Sequence, residues 1–289
     1  MSTLPFFSIP FLPQQEILKN LDFLDVVKFS TVSTRSKKLI EVTKPIKVNN
    51  CYWSLNIHSS EEVYIKRGKT NIAQWSIHSR DYKKYFRTVL NLFKISKFEL
   101  YMDQSFALKT NPVFKYTRTF KEIYISNQVD SFDYIPEKSM EFLMDKLTVG
   151  KFQMCASNVA GLYTKPLKHD TLILESMEWM SIDAILNSTS TFINIEDRID
   201  HMDLNRIVRK WQEGGLQKLE ELRCSHYTED GDAMEDIETV EIDPKTRPYN
   251  LEEEHFVKEI HDIEGAEGRM ATVVLASDRF QMLVWPKEN

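Results

Sequence analysis

Three short apolar-polar patterns open the chain between Leu4 and Val42, each with the period of a helix. Pro13 suits the first position of a helix, where a missing N–H costs nothing, and Ile17, Leu18 and Leu21 follow on one side. Asp22 is placed to cap a second helix carrying Leu24, Val27 and Phe29. Ser33 is placed to cap a third, basic one: Arg35, Lys37, Lys38, Leu39, Ile40. About forty residues bury little core unaided. This block carries many large apolar side chains and no cysteine or glycine. Another protein is therefore expected to complete part of its apolar surface.

The pattern changes between residues 45 and 79. Ile46–Val48, Tyr52–Ile57, Val63–Ile65 and Ile72–Ile77 are short, β-branched and aromatic, with Ser59, Ser60 and Gly68 as turn signals. They predict strands or hairpins bridging the helices to the remainder of the chain. Trp53 and Trp75 are expected in the core rather than on a binding platform.

A repeat begins near Tyr82. Three positions recur as apolar-x-x-apolar-x-apolar: Ile95/Phe98/Leu100, Phe120/Ile123/Ile125, Val149/Phe152/Met154 and Leu219/Leu222/Cys224. Leu172/Leu174 and Ile193/Ile195 keep the last two, with His169 and Ser190 in the first. The middle positions are Phe98, Ile123, Phe152, Leu172, Ile193 and Leu222. Their spacing falls in the roughly 20–29-residue window of leucine-rich repeats. Helical faces lie between them. Tyr82, Tyr85, Phe86, Val89 and Phe93 make one, and Met140, Leu143, Met144 and Leu147 after Pro136 make another. Ile182, Ile185 and Leu186 come after Ser181; Leu204, Ile207, Val208 and Trp211 lie between Asp200 and Gly214-Gly215. One helix and one strand per period, stacked, predicts an α/β solenoid with a parallel sheet. A doubly wound α/β sheet gives a similar periodicity and stays open. The stretches Leu108–Thr119 and Ala156–Lys168 carry no clear helix, and only Asn127 lies near an asparagine-ladder position.

Residues 229–264 interrupt the repeat with fourteen Asp and Glu against Lys245, Arg247 and Lys258, and read as an exposed, partly mobile loop. Ala271–Leu275 and Phe280–Trp285 flank Ser277-Asp278 as a hairpin, expected to cover the sheet's last edge. The expected domains are a helical module at 1–45, a β-rich bridge at 46–80 and the repeat domain at 81–289.

Two sets of residues resemble a known family. Ile9-Pro10, Glu16-Ile17-Leu18, Asp25-Val26 and the run Ser33–Lys38 resemble the F-box, in the form found in the nematode-expanded F-box proteins. Leu174–Trp179, Ser181–Asn187, Asp203–Val208 and Lys210–Leu222 resemble the type 2 F-box-associated domain, most specifically in Lys210-Trp211, Gly214 and Leu219–Leu222. The resemblance implies a substrate adaptor of a cullin–RING (SCF-type) ubiquitin ligase. Its first helices would dock on the Skp-type adaptor through Ile9, Pro10, Ile17, Leu18, Leu21 and Val27, and its second domain would capture a protein substrate. It names no substrate and no substrate-binding residue.

Charge leaves an alternative open. Residues 1–127 carry 20 Lys+Arg against 10 Asp+Glu, whereas 128–289 carry 17 against 33. A basic front half is compatible with nucleic-acid binding, but its charges are scattered rather than gathered in one run. A second alternative is a scaffold whose first helices only cap the repeat domain.

Catalytic signals are sparse. No HExxH, Walker loop, GxGxxG or GxSxG occurs, so a non-catalytic chain without cofactor is expected. His255 and His261 stand near Glu259 and Asp262, a grouping read as solvated loop rather than a metal site. Cys51, Cys155 and Cys224 lie far apart without CxxC, which fits a reducing compartment. Pro5, Pro10 and Pro13, with no basic residue before Lys19, match a signal peptide poorly, and no apolar run reaches bilayer length. Cytoplasm or nucleus is the expected location.

Overall fold

The computed structural model describes residues 6–45, 51–57, 62–67, 70–76, 88–90, 92, 98–103, 114, 117–126, 135–155, 159–227, 231–249, 257–276 and 279–286. Several expectations lie outside these residues: the strand at 46–48, the turns at Ser59-Ser60, Gly68 and Ser277-Asp278, and Asn127. The same holds for all of the Tyr82–Phe93 face except Val89, which is buried. The chain divides into two compact units, Met1–Tyr101 and Met102–Asn289. The boundary expected after residue 80 falls among residues 77–87, again outside the described set.

The first unit opens with three helices, α1 (Phe11–Lys19), α2 (Phe23–Ser30) and α3 (Thr34–Thr43). Two of the expected caps form. Asp22 accepts a hydrogen bond from the Asp25 amide at 2.7 Å, and Ser33 accepts one from the Ser36 amide at 3.0 Å. The first helix starts earlier than expected. Pro10 is its N-cap, so Pro13 sits in the first turn, where amides still have no intrahelical acceptor to lose. Lys44 ends α3 in the left-handed region at φ 44°. Next comes an antiparallel meander, β1 (Cys51–Ile57), β2 (Glu62–Arg67) and β3 (Thr70–Ser76). The strands expected there are present. Strand β4 (Phe98–Asp103) spans the boundary between the units.

In the second unit the elements are β5 (Thr119–Ser126), α4 (Glu137–Lys146), β6 (Thr148–Met154), β7 (Thr171–Leu174), α5 (Ile182–Leu186), β8 (Phe192–Ile199), α6 (His201–Gln212) and β9 (Glu221–Tyr227). The last three strands are β10 (Val257–Glu264), β11 (Met270–Ala276) and β12 (Phe280–Val284). Strands β5 to β9 are parallel and lie side by side in chain order. A doubly wound sheet reverses its order at a switch point. This run does not reverse, so the solenoid reading holds.

The expected repeat markers are register partners. Ile123 pairs with Phe152, Phe152 with Leu172, Leu172 with Ile193 and Ile193 with Leu222. All five side chains are buried, as are Ile125, Met154, Leu174, Ile195 and Cys224 two residues on. Successive strand side chains point to opposite faces, so these two rows make one continuous inner wall. On β4 the buried pair is Leu100 and Met102, two residues further along the face that carries the half-buried Phe98.

The helices cover that wall. Met140, Leu143 and Met144 of α4, Ala184 and Ile185 of α5, and Leu204, Ile207, Val208 and Trp211 of α6 are buried. Asp200 caps α6 as expected, accepting from the Met202 amide at 2.7 Å. Gly214 at φ 88° stops it, a conformation that a Cβ would strain. Ser181 begins α5, but its hydroxyl is buried without a partner rather than capping the helix.

The acidic stretch departs from expectation. Its last part is strand β10, paired antiparallel with β11. Strand β11 pairs with β12, and β12 closes antiparallel on β9, covering that edge as the hairpin was expected to do. Arg247 reaches back to Asp262 of β10, with contacts of 2.7 and 2.9 Å to Oδ2 and 3.1 Å to Oδ1. Thr272 donates a further bond to Asp262 at 2.8 Å. Tyr249 donates to the Val284 carbonyl at 2.8 Å and packs with Val257 and Ile260 on Val274 and Leu283. Composition alone points to a loop here; pairing partners and a small second apolar cluster make it a cap on the sheet.

Candidate protein-docking surfaces

Two surfaces emerge. The first is on the helical module. Leu18, Phe23, Val26, Val27 and Ile40 are buried and form its interior. Gln14 is buried among them, and its Nε2 donates to the carbonyls of Ile9 at 2.7 Å and Phe6 at 3.3 Å. That side chain pins the lead-in segment to α1. A glutamine in a helical pattern gives no sign of this, because its partners are backbone groups. Phe6, Phe7 and Phe29 form an aromatic cluster with centroids 5.0–6.0 Å apart, and the Arg35 guanidinium lies 4.6 Å over the Phe7 ring.

The six residues expected to face a partner therefore separate. Leu18 and Val27 are buried. Ile17 is 39 % exposed, Pro10 is exposed, and Ile9 and Leu21 are half-buried. The reason is local. A small helical module needs apolar side chains inside, and Leu18 and Val27 are among the buried ones.

Other apolar groups stay in water. Leu12 is 71 % exposed, Val32 74 % and Val42 60 %. Phe7, Phe11, Leu39 and Val42 line a groove of about 260 Å³, with Arg35 and Lys38 beside it. Single exposures are ordinary on a protein surface; several on one small module make it a candidate interaction surface.

The second surface is the outer face of the parallel sheet. In-register side chains make rows across it. One row is Glu122, Lys151, Thr171, Phe192 and Glu221; the next is Tyr124, Gln153, Ile173, Asn194, Arg223 and, on β12, Gln281. These positions are half-buried or exposed. Glu122 and Lys151 pair across strands at 2.9 Å, and Arg223 pairs with Glu221 while lying 5.6 Å over the Phe192 ring.

Beyond the second row, the Cys155 thiol donates to Glu175 Oε1 at 2.5 Å. Burial, with help from the Glu175 carboxylate, pushes this thiol up to about 12. Tyr124 is likewise raised to about 12, first by its hydrogen bond with Cys155 and then by burial. Both stay protonated at neutral pH. The face thus offers hydrogen-bonding and charged side chains, without a thiolate nucleophile at Cys155. Among the described residues no group of His, Cys, Asp and Glu could hold a metal ion. Asp262 is occupied by Arg247 and Thr272, His261 bonds Glu259 at 2.9 Å, and His255 lies outside the described residues. No helix among the described residues is long and apolar enough to cross a membrane.

Comparison with protein-family models agrees with this two-part layout. Residues 6–45 match the F-box domain, and residues 164–224 match the family described as F-box associated. Comparisons with curated proteins and with solved structures gave no match. The first match covers the module with the exposed apolar groups, and the second covers β7, α5, β8, α6 and most of β9. The chain therefore carries an F-box domain at residues 6–45, followed at residues 164–224 by a match to the F-box associated family that lies within the α/β unit.

Proposed function

We propose that this chain is a non-catalytic substrate adaptor of an SCF-type cullin–RING ubiquitin ligase, working in the cytoplasm or nucleus. The helical module docks on the Skp-type adaptor through its water-exposed apolar side chains. Ile9, Pro10, Ile17 and Leu21 contribute from the expected set, joined by Leu12. Leu18 and Val27 act indirectly, by holding the module together. Each apolar anchor that is fully covered contributes about 1.5–3 kcal/mol. The second unit holds a protein substrate, and the ligase gains rate because the target is kept near the conjugating enzyme. No reaction occurs on this chain.

The observation that carries the reading is the exposure of Leu12 and Ile17 on an F-box whose own interior is already filled. Mixing the purified full chain with a Skp-type adaptor is expected to give a 1:1 complex on size-exclusion chromatography. Ile17→Asp is expected to weaken that complex by about 2 kcal/mol or more while leaving the far-UV circular dichroism unchanged. If the native chain forms no complex, the ligase reading is lost.

A further inference from the structure

We propose that the outer face of the second unit carries an acid-binding pocket at β8, β9 and β12, which seats an acidic side chain of an extended protein segment. This rests on the reading of that unit as the substrate-capturing part. The pocket has a volume of about 470 Å³. Asn194, Arg223 and Gln281 stand in one register row across its floor, and Arg279, Ser225 and Val257 border it.

The donors inside it are unequal. Arg223 is tied through Nε to the Glu221 carboxylate, which also accepts from Gln281 Nε2 at 2.7 Å. Arg279 is exposed and has no side-chain hydrogen bond or ion pair among the described residues. A guanidinium presents a planar fork of donors that fits a carboxylate with two parallel bonds. Arg279 is thus a cation without an anion among the described residues, at the mouth of a cavity large enough for a side chain. Val257, Val274 and Ala276 make an aliphatic wall beside it. The occupant that fits is Asp or Glu next to an aliphatic residue. A phosphorylated side chain fits less well, because Glu221 stands in the adjoining row and repels a dianion.

The surrounding charge sharpens the argument. Residues 102–289 carry 35 Asp+Glu against 21 Lys+Arg, so the unit as a whole repels acidic segments. That field is screened over about 8 Å in physiological salt, and a contact to the exposed Arg279 is screened as well, though less than charges further apart. Recognition therefore depends on the direct guanidinium–carboxylate contact rather than on long-range steering.

Phage display of random nonapeptides against the full chain tests this. The expected selection is enriched in Asp or Glu beside Val, Ile or Leu. Fluorescence polarisation on a selected peptide is expected to show at least tenfold loss with Arg279→Gln, and with the peptide's own Glu→Gln change. Arg198→Gln, an exposed arginine outside the pocket, is expected to leave binding unchanged. The proposal is overturned by four outcomes: no selected peptide, no acidic enrichment, binding indifferent to Arg279→Gln, or a phosphoserine analogue binding at least tenfold tighter. Thermal melting of Arg279→Gln guards against misfolding, since its side chain makes no bond among the described residues. The same preparations are mixed with the Skp-type adaptor. Peptide binding without adaptor binding sinks the ligase reading alone, and the reverse sinks the pocket alone.

Discussion

His169 gives the fold a built-in sensitivity to acid. It fills the first repeat position ahead of β7, is fully buried, and stacks on Phe152 with ring centroids 5.1 Å apart. Neither ring nitrogen has a hydrogen-bond partner among the described residues. Burial depresses its pKa from 6.5 to about 4, against a weaker opposing pull from Asp170. The unfolded chain therefore binds a proton on this side chain at pH values where the folded chain does not. Stability from this residue is present in full above about pH 6.5 and is lost as pH falls toward 4. The difference in proton affinity amounts to about 1 kcal/mol at pH 5.5 and about 3 kcal/mol at pH 4.5. Carboxylates titrate over the same range, so the measurement has to be differential. Urea unfolding of the native chain and of His169→Leu is followed through the transition reported by Trp179 and Trp211, both in the second unit. The variant buries no unpaired nitrogen and should equal or exceed the native stability at pH 7.5. Its advantage should then grow by about 3 kcal/mol by pH 4.5. Parallel pH profiles for the two proteins would refute the reasoning.

Packing supplies two further predictions. Leu18→Ala empties a fully buried site in the helical module and should cost about 2–5 kcal/mol, lowering the module's melting temperature before any partner is added. Arg247→Ala leaves the buried Asp262 carboxylate with Thr272 as its side-chain partner among the described residues and should cost about 3–5 kcal/mol, read as a lower urea midpoint. An unchanged midpoint would mean that β10 is held by its strand pairing alone.

Local features were legible in the chain because they depend on neighbours a few residues away. Asp22, Ser33 and Asp200 cap helices where their spacing places them. The markers Ile123, Phe152, Leu172, Ile193 and Leu222 form one register row because each period brings an equivalent residue back to the same face. Tertiary structure decided what depends on distant partners. An apolar period shows that Ile17, Leu18 and Val27 belong on helix faces, but only the packing of three helices sends Leu18 and Val27 inward and leaves Ile17 in water. Acidic composition argued for a loop at 229–264, and pairing with β11 made a strand of its end, with Arg247 neutralising the buried Asp262 carboxylate. The row that places Arg223 beside Gln281 joins residues 58 positions apart through an antiparallel closure that no local pattern encodes.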